Sequence, residues 1–208
     1  SRSEEVYVAT KCGRQITPHV DAGYNVKALR TYVEDSLKNT GLERLDLIQL
    51  HCPPTDTFYR PEIFRLFEDL KQEGKIANLG VSVEKVEEGL KAMQYENVTT
   101  VQIIFNVFRQ RPAELFFREA EKNDIGIIVR VPLASGLLTG KFDQNSSFDK
   151  EDHRNFNRNG EAFDKGETFS GIDFETGLQA VDQLKDLFPQ VENLAPVALQ
   201  WILQHPEV

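Results

Sequence analysis

A lysine, a histidine, a serine and a glutamine fall at or near the carboxyl ends of short apolar runs. Lys11 closes VYVATK (6–11), His51 closes LDLIQLH (45–51), Ser82 closes ANLGVS (77–82), and Gln102 lies in VQIIFN (101–106), which closes on Asn106. Side chains of these types can move protons, stabilise charge and hold a polar ligand. Each also has a plain structural reading. A lysine at a strand end is commonly a solvated terminus, and a histidine ending an apolar strand must find hydrogen-bond partners in any case. Ser82 is placed to N-cap the following helix, and Asn106 reads as a structural loop residue.

A fifth run, IGIIVRVP (125–132), completes the series, with starts at 6, 45, 77, 101 and 125. The runs are near-continuously apolar, which suits strands of a parallel sheet buried on both faces. Each gap holds one helix. Asn25 caps a segment with Val26, Leu29, Val33 and Leu37 at helical spacing and Gly41 as its stop. Pro61 opens a second helix, with Ile63, Phe64, Phe67 and Leu70 inward and Gly74 beyond its end. Val83, Val86, Leu90 and Met93 share a face of a third, and Pro112 starts a fourth with Leu115, Phe116 and Ala120. Two closing helices are expected around 175–188 and 196–205.

Regular alternation of strand and helix implies right-handed crossovers and a parallel sheet, open or closed into a barrel. Polar residues at several strand ends favour an α/β (β/α)8 TIM barrel, where such residues assemble the active site. A doubly wound sheet would show a glycine-rich turn after its first strand, and neither G-x-G-x-x-G nor a Walker pattern occurs.

The ordered strings VATKCG, LDLIQLHCPP, EGKIANLGVS, VQIIFNVF and VPLASGLLTGKF resemble the aldo-keto reductase superfamily over roughly residues 6–142. That resemblance implies NADPH-dependent reduction of aldehydes or ketones to alcohols by hydride transfer, with no metal. It implies that Lys11 lowers the pKa of a proton-donating tyrosine and that His51 orients or polarises the carbonyl oxygen. It places Ser82 and Gln102 on the nicotinamide carboxamide. The segment from Pro132 through Leu133, Ser135, Gly136, Leu138 and Gly140 to Lys141 matches the loop that approaches the cofactor pyrophosphate. Val83 replaces a common asparagine. Arg130 and Val131 replace an aromatic residue and a serine, and Arg130 takes the place of the ring that stacks on the nicotinamide. A guanidinium repels the positively charged oxidised ring, so weaker retention of the oxidised cofactor is expected.

Against this pattern the chain is expected to be a single, incomplete barrel domain over residues 1–208, holding strands 3 to 7. It lacks the early strands that carry an aspartate and the donor tyrosine, and a last strand with a phosphate-binding helix; such barrels typically need ~250 residues. Tyr7 is expected inside the first strand and Tyr32 and Tyr95 on or near helices. Tyr24 and Tyr59, in loops, are conceivable proton donors. A non-catalytic cofactor-sensing subunit and an inactive fragment stay open as alternatives.

The net charge of −9 and pI near 5.0 argue against nucleic-acid and anionic-membrane partners. No run is long enough to span a membrane. Cys12 and Cys52 each follow a candidate catalytic residue, and are expected to be free, oxidation-sensitive thiols in a reducing cytoplasm that approach one another. A metal site built from them and His51 has too few ligands at suitable spacing. The polar stretch 143–173 carries Phe148, Phe156, Phe163 and Phe169, with His153, Arg154 and Arg158 as solvated charges. It is expected to be a loop that orders over the cofactor. Substrate identity and oligomeric state are not legible.

Overall fold

The computed structural model describes residues 6–208, which divide into two compact units: residues up to 103 with 116–128, and residues 104–115 with 129–208. Five strands, β1 (Ala9–Cys12), β2 (Leu45–His51), β3 (Ile76–Ser82), β4 (Val98–Ile104) and β5 (Gly126–Arg130), form one sheet in sequential order. β1 to β4 pair parallel. Between them run α1 (Val26–Thr40), α2 (Pro61–Gln72), α3 (Val86–Ala92) and α4 (Phe116–Lys122). A doubly wound sheet reverses its order at a switch point, and this one does not. Crossovers of one hand, taken in sequence without reversal, put their helices on one face of the sheet.

In the first unit the local signals hold. Asn25 accepts from Ala28 N at 3.0 Å, and Gly41 closes α1 in the left-handed region. Pro61 is the first residue of α2, whose Ile63, Phe64, Phe67 and Leu70 are buried. Several boundaries move, among them those of β4, which spans Val98–Ile104 rather than 101–106. β1 begins at Ala9 rather than Val6, because Val8 N donates to the Asp46 carboxylate at 2.8 Å instead of to the ladder. Tyr7 therefore lies outside the strand, 74% exposed. Ser82 does not cap α3, since Val83 N continues the sheet by donating to Gln102 O, and α3 starts only at Val86. The buried Glu88 carboxylate caps that helix, accepting from Glu84 N, Lys85 N and Thr55 Oγ1. Pro112 sits in a separate 3-10 turn, Arg111–Ala113, so α4 opens at Phe116 and Leu115 is exposed.

The apolar runs are also less uniform than they read. Registers Lys11↔Gln49, Gln49↔Gly80 and Gly80↔Thr100 place those residues on one face, with His51↔Ser82 and Ser82↔Gln102 two residues further along. Side chains alternate along a strand, so Ile48, Leu50, Leu79, Val81 and Val101 take the other face, where all are buried. An added Cβ on Gly89 of α3 would meet Phe116 and Val101, which identifies that face as the helix-covered one. The sheet is thus apolar on its helix side and polar on the other near its carboxyl ends. It is not apolar on both sides as the runs suggested.

The second unit carries α5 (His153–Phe156), α6 (Phe174–Leu187) and α7 (Ala195–Ile202). Its core is Ala134, Leu137, Leu138, Phe169, Val181, Leu194 and Ala198. The stretch 143–173 is mostly irregular, as expected of a loop, with short turns of helix at α5, Lys165–Glu167 and Phe169–Gly171. Its aromatic rings pack on each other: Phe148 lies 5.2 Å from Phe142 and 5.8 Å from Phe169, and Phe169 lies 4.9 Å from Phe174, centroid to centroid. Arg154 and Arg158 are not simply solvated charges, since their guanidinium groups lie 4.5 Å from the Phe148 centroid and 5.3 Å from the Phe174 centroid. Phe156 stays 41% exposed, and Phe163 faces a cleft rather than this cluster.

Candidate active site

Strand geometry positions the first group of residues. His51 and Ser82 end β2 and β3, Gln102 lies two residues before the end of β4, and the three are register partners in one row. With strands ~4.8 Å apart, that row spans about 10 Å from His51 to Gln102. Lys11 stands in the row beneath, beside Gln49. Four residues chosen by type from the sequence therefore share one face of one sheet.

Ser82 is 1% exposed, and its hydroxyl lies 3.3 Å from Cys52 Sγ and 3.5 Å from Gln102 Oε1. With Oε1 accepting from Ser82, Gln102 offers a ligand its amide N–H donors. Gln49, which sequence reading passed over, shares the face with His51 and is 2% exposed. Its spacing of two residues from His51 was the available signal. Among the described residues, Gln49 Oε1 and Thr100 Oγ1 are buried atoms without a protein hydrogen-bond partner. Buried polar atoms of this kind take a water or a ligand. Gly80 leaves room between them, since a Cβ there would come within 2.1 Å of Thr100 Oγ1.

The cysteines are free as expected, while burial changes the reading of Cys12 and Tyr24. Both cysteines are buried and free, and burial pushes the Cys12 thiol up to about 12, which suppresses the thiolate that oxidants attack. Tyr24 is fully buried rather than a solvated loop residue, and burial raises its phenol further above the usual range. That direction opposes a role as proton donor. Tyr59 is 62% exposed at the end of a 3-10 turn.

The remaining candidates belong to the second unit. Arg130 Nη1 lies 3.3 Å from Glu167 Oε1, both side chains being mostly buried. The guanidinium charge is therefore offset locally, which weakens the expected repulsion of an oxidised ring. The turn after β5 takes left-handed conformations at Val131, Ala134, Ser135 and Gly136. At Gly136, with φ of 95°, an added Cβ would also stand 3.1 Å from Phe142, so glycine fits there on both counts. Ser135 Oγ donates to Glu167 O at 3.0 Å and accepts from Phe169 N at 3.1 Å, tying this turn to the aromatic stretch. Pro132, Leu133, Ser135 and Gly136 line a cleft of about 430 Å³ with Val131, His153, Phe163 and Glu167. Leu138 does not reach it, because its side chain is 1% exposed in the core; Lys141 is exposed. Asn106 is structural, its amide donating to Val131 O and Ser170 Oγ and its Oδ1 accepting from Phe108 N and Arg109 N. Among the described residues, no helix is long and apolar enough to cross a membrane.

A parallel sheet wound in one direction, with polar side chains gathered toward the carboxyl ends of its strands, is the α/β arrangement found in barrel folds. The Aldo/keto reductase family profile matches residues 1–208, and the chain belongs to that family. It is 27% identical over 212 residues to aldo-keto reductase YhdN of Bacillus subtilis, covering 99% of this chain and 60% of the relative. It is 26% identical over 216 residues to an L-glyceraldehyde 3-phosphate reductase of Escherichia coli O157:H7, covering 99% and 60%. Over 154 residues it is 25% identical to an NADH-specific methylglyoxal reductase of Escherichia coli, covering 66% and 46%. The structure of a glycerol dehydrogenase from Gluconobacter oxydans superposes with a TM-score of 0.69 at 26% identity, covering all of this chain and 62% of that one. The chain thus spans about 60% of the length of the first curated relatives it matches.

Proposed function

We propose that this chain belongs to a single (β/α)8 barrel domain that reduces aldehyde or ketone carbonyls of small molecules, using NADPH. The observation that carries the reading is the row His51–Ser82–Gln102 with Lys11 beside it on one polar sheet face. Reduced nicotinamide, when bound, supplies the hydride. His51 donates an N–H hydrogen bond to the carbonyl oxygen, and the Lys11 ammonium lowers the pKa of the donor tyrosine that the family resemblance implies, whose proton converts the alkoxide left by hydride addition into the alcohol. Gln102 orients the carboxamide through its N–H donors, and Ser82 acts through Gln102 because its own hydroxyl is buried. In the second unit Pro132, Leu133, Ser135 and Gly136 line the groove for the dinucleotide. Leu138 contributes only by shaping the core beneath, and Lys141 offers an exposed cation to a phosphate.

The family resemblance supports NADPH, while one relative is named as NADH-specific. Consumption of each reduced cofactor against a panel of aldehydes and ketones tests the reading. NADPH oxidation faster than NADH oxidation, lost about 100-fold in His51→Gln, is the expected result. Equal rates in wild type and His51→Gln, or no carbonyl-dependent oxidation of either cofactor, would sink it.

A further inference from the structure

We propose that Tyr24 is a positioning residue for His51, holding the catalytic imidazole through its backbone rather than touching the substrate. This rests on the reading that His51 binds the carbonyl oxygen. The Tyr24 hydroxyl donates to His51 O at 3.3 Å across 27 residues of sequence, and lies 2.8 Å from His19 Nε2. A phenol has one proton to give. With that proton on the His51 carbonyl, His19 must present an N–H at Nε2, which fixes its neutral tautomer. The His19 ring also meets the Tyr24 ring edge-on, 5.6 Å between centroids.

The ring itself has no freedom to leave. Gly13 has φ of 101°, and a Cβ there would come within 2.6 Å of Tyr24 Cε1, so the ring occupies the space of a missing side chain. At the backbone, Arg60 Nη1 donates to Tyr24 O at 2.9 Å and to Asp21 O at 3.0 Å. Thr57 Oγ1 donates to Asp21 Oδ1 at 2.8 Å. The segment that precedes α1 is therefore pinned from outside while its tyrosine reaches in.

What Tyr24 grips is the last peptide of β2. Immediately after it, Cys52 turns into the left-handed region with φ of 44°, and Cys52 N donates to Ser82 O at 3.0 Å. The His51–Cys52 peptide is held at its oxygen by Tyr24 and at its nitrogen by β3. Fixing that peptide fixes ψ of His51 and with it the direction of the Cα–Cβ bond. Sites lose effectiveness when supporting contacts let a group drift by more than about 0.5 Å or 10–20°. A hydroxyl with no direct route to the substrate can thus control the rate.

The test compares Tyr24→Phe, which keeps the ring, with His51→Gln, reading kcat, KM and thermal midpoint. Nitrogen-15 histidine NMR of the same proteins follows the His51 ring, assigned by its loss in His51→Gln. Tyr24→Phe is expected to lower kcat about threefold to tenfold, change KM less than twofold and shift the His51 ring signals. If His51→Gln abolishes turnover while Tyr24→Phe keeps kcat and the ring signals, the positioning role is wrong and the reductase reading stands. If His51→Gln leaves turnover intact, that reading fails. The ring signals then decide alone: shifted in Tyr24→Phe they support the backbone grip, and unshifted they overturn it. Should Tyr24→Phe not fold, His19→Leu removes the outer N–H donor. It is expected to lower kcat about twofold with the same spectral shift, and unchanged kcat and spectra would overturn the proposal.

Discussion

The two units of this protein present their candidate residues by different means. In the first, Lys11, Gln49, His51, Ser82 and Gln102 hang from parallel strands, and register alone aligns them. In the second, Pro132, Leu133, Ser135 and Gly136 sit on a turn of left-handed residues, held by Ser135 and by a cluster of phenylalanines. A sheet places groups through a repeating backbone ladder. A turn must be held by specific side chains, so its geometry is more vulnerable to single substitutions elsewhere.

The sharpest break between the units would come from Phe169→Ala. This ring is fully buried in the second unit's core, and truncating it should cost about 3–5 kcal/mol. Trp201, the only tryptophan, stacks on Phe105 in that same unit at 5.1 Å and reports on it by fluorescence. An early loss of the tryptophan signal on heating is the expected outcome, and an unchanged transition would deny that the aromatic cluster holds the turn.

Next in size are Lys11→Met and His51→Gln, each expected to lower carbonyl reduction about 100-fold with little change in the thermal midpoint. A large drop in midpoint with modest loss of rate would recast both as structural strand ends.

A smaller effect should follow from Glu167→Gln, which removes the partner of Arg130. Affinity for the oxidised cofactor should fall about threefold more than affinity for the reduced form, because the guanidinium is then uncompensated near a cationic ring. Titration with both cofactors measures this, and equal losses would place Arg130 away from the nicotinamide.

The smallest concerns the surface of the first unit. Arg30 and Lys75 hold the Glu73 carboxyl down at about 2, below its ordinary 4.5. A depressed carboxylate contributes stability that is present above its unfolded pKa and lost as pH falls through the folded one. Glu73→Gln should therefore remove that small contribution at neutral pH and flatten the stability profile between about pH 4.5 and 2, the two proteins converging at the acid end. The group is fully exposed, so the flattening should also weaken with added salt.

The sequence determined the element order, the caps of α1 and α2, and the candidates at the strand ends, because these follow from local chemistry: Asn25 and Gly41 at the ends of one helix, Pro61 at the start of another, a polar residue closing four of the five apolar runs. Some register information was present but easily missed, as with Gln49 two residues before His51. What only the tertiary structure decided lies in pairings between distant residues. The bond from Tyr24 to His51 and the ion pair of Arg130 with Glu167 each join positions 27 or more apart. Leu138 reads like its neighbours in the turn, yet packs into the core while they line the cleft. The phenylalanines of 143–173 read as a loop because no periodicity links them; they become a core only when Phe142 and Phe174 arrive from either side. Local propensity acts over a few residues, whereas burial is a property of what the whole chain brings together.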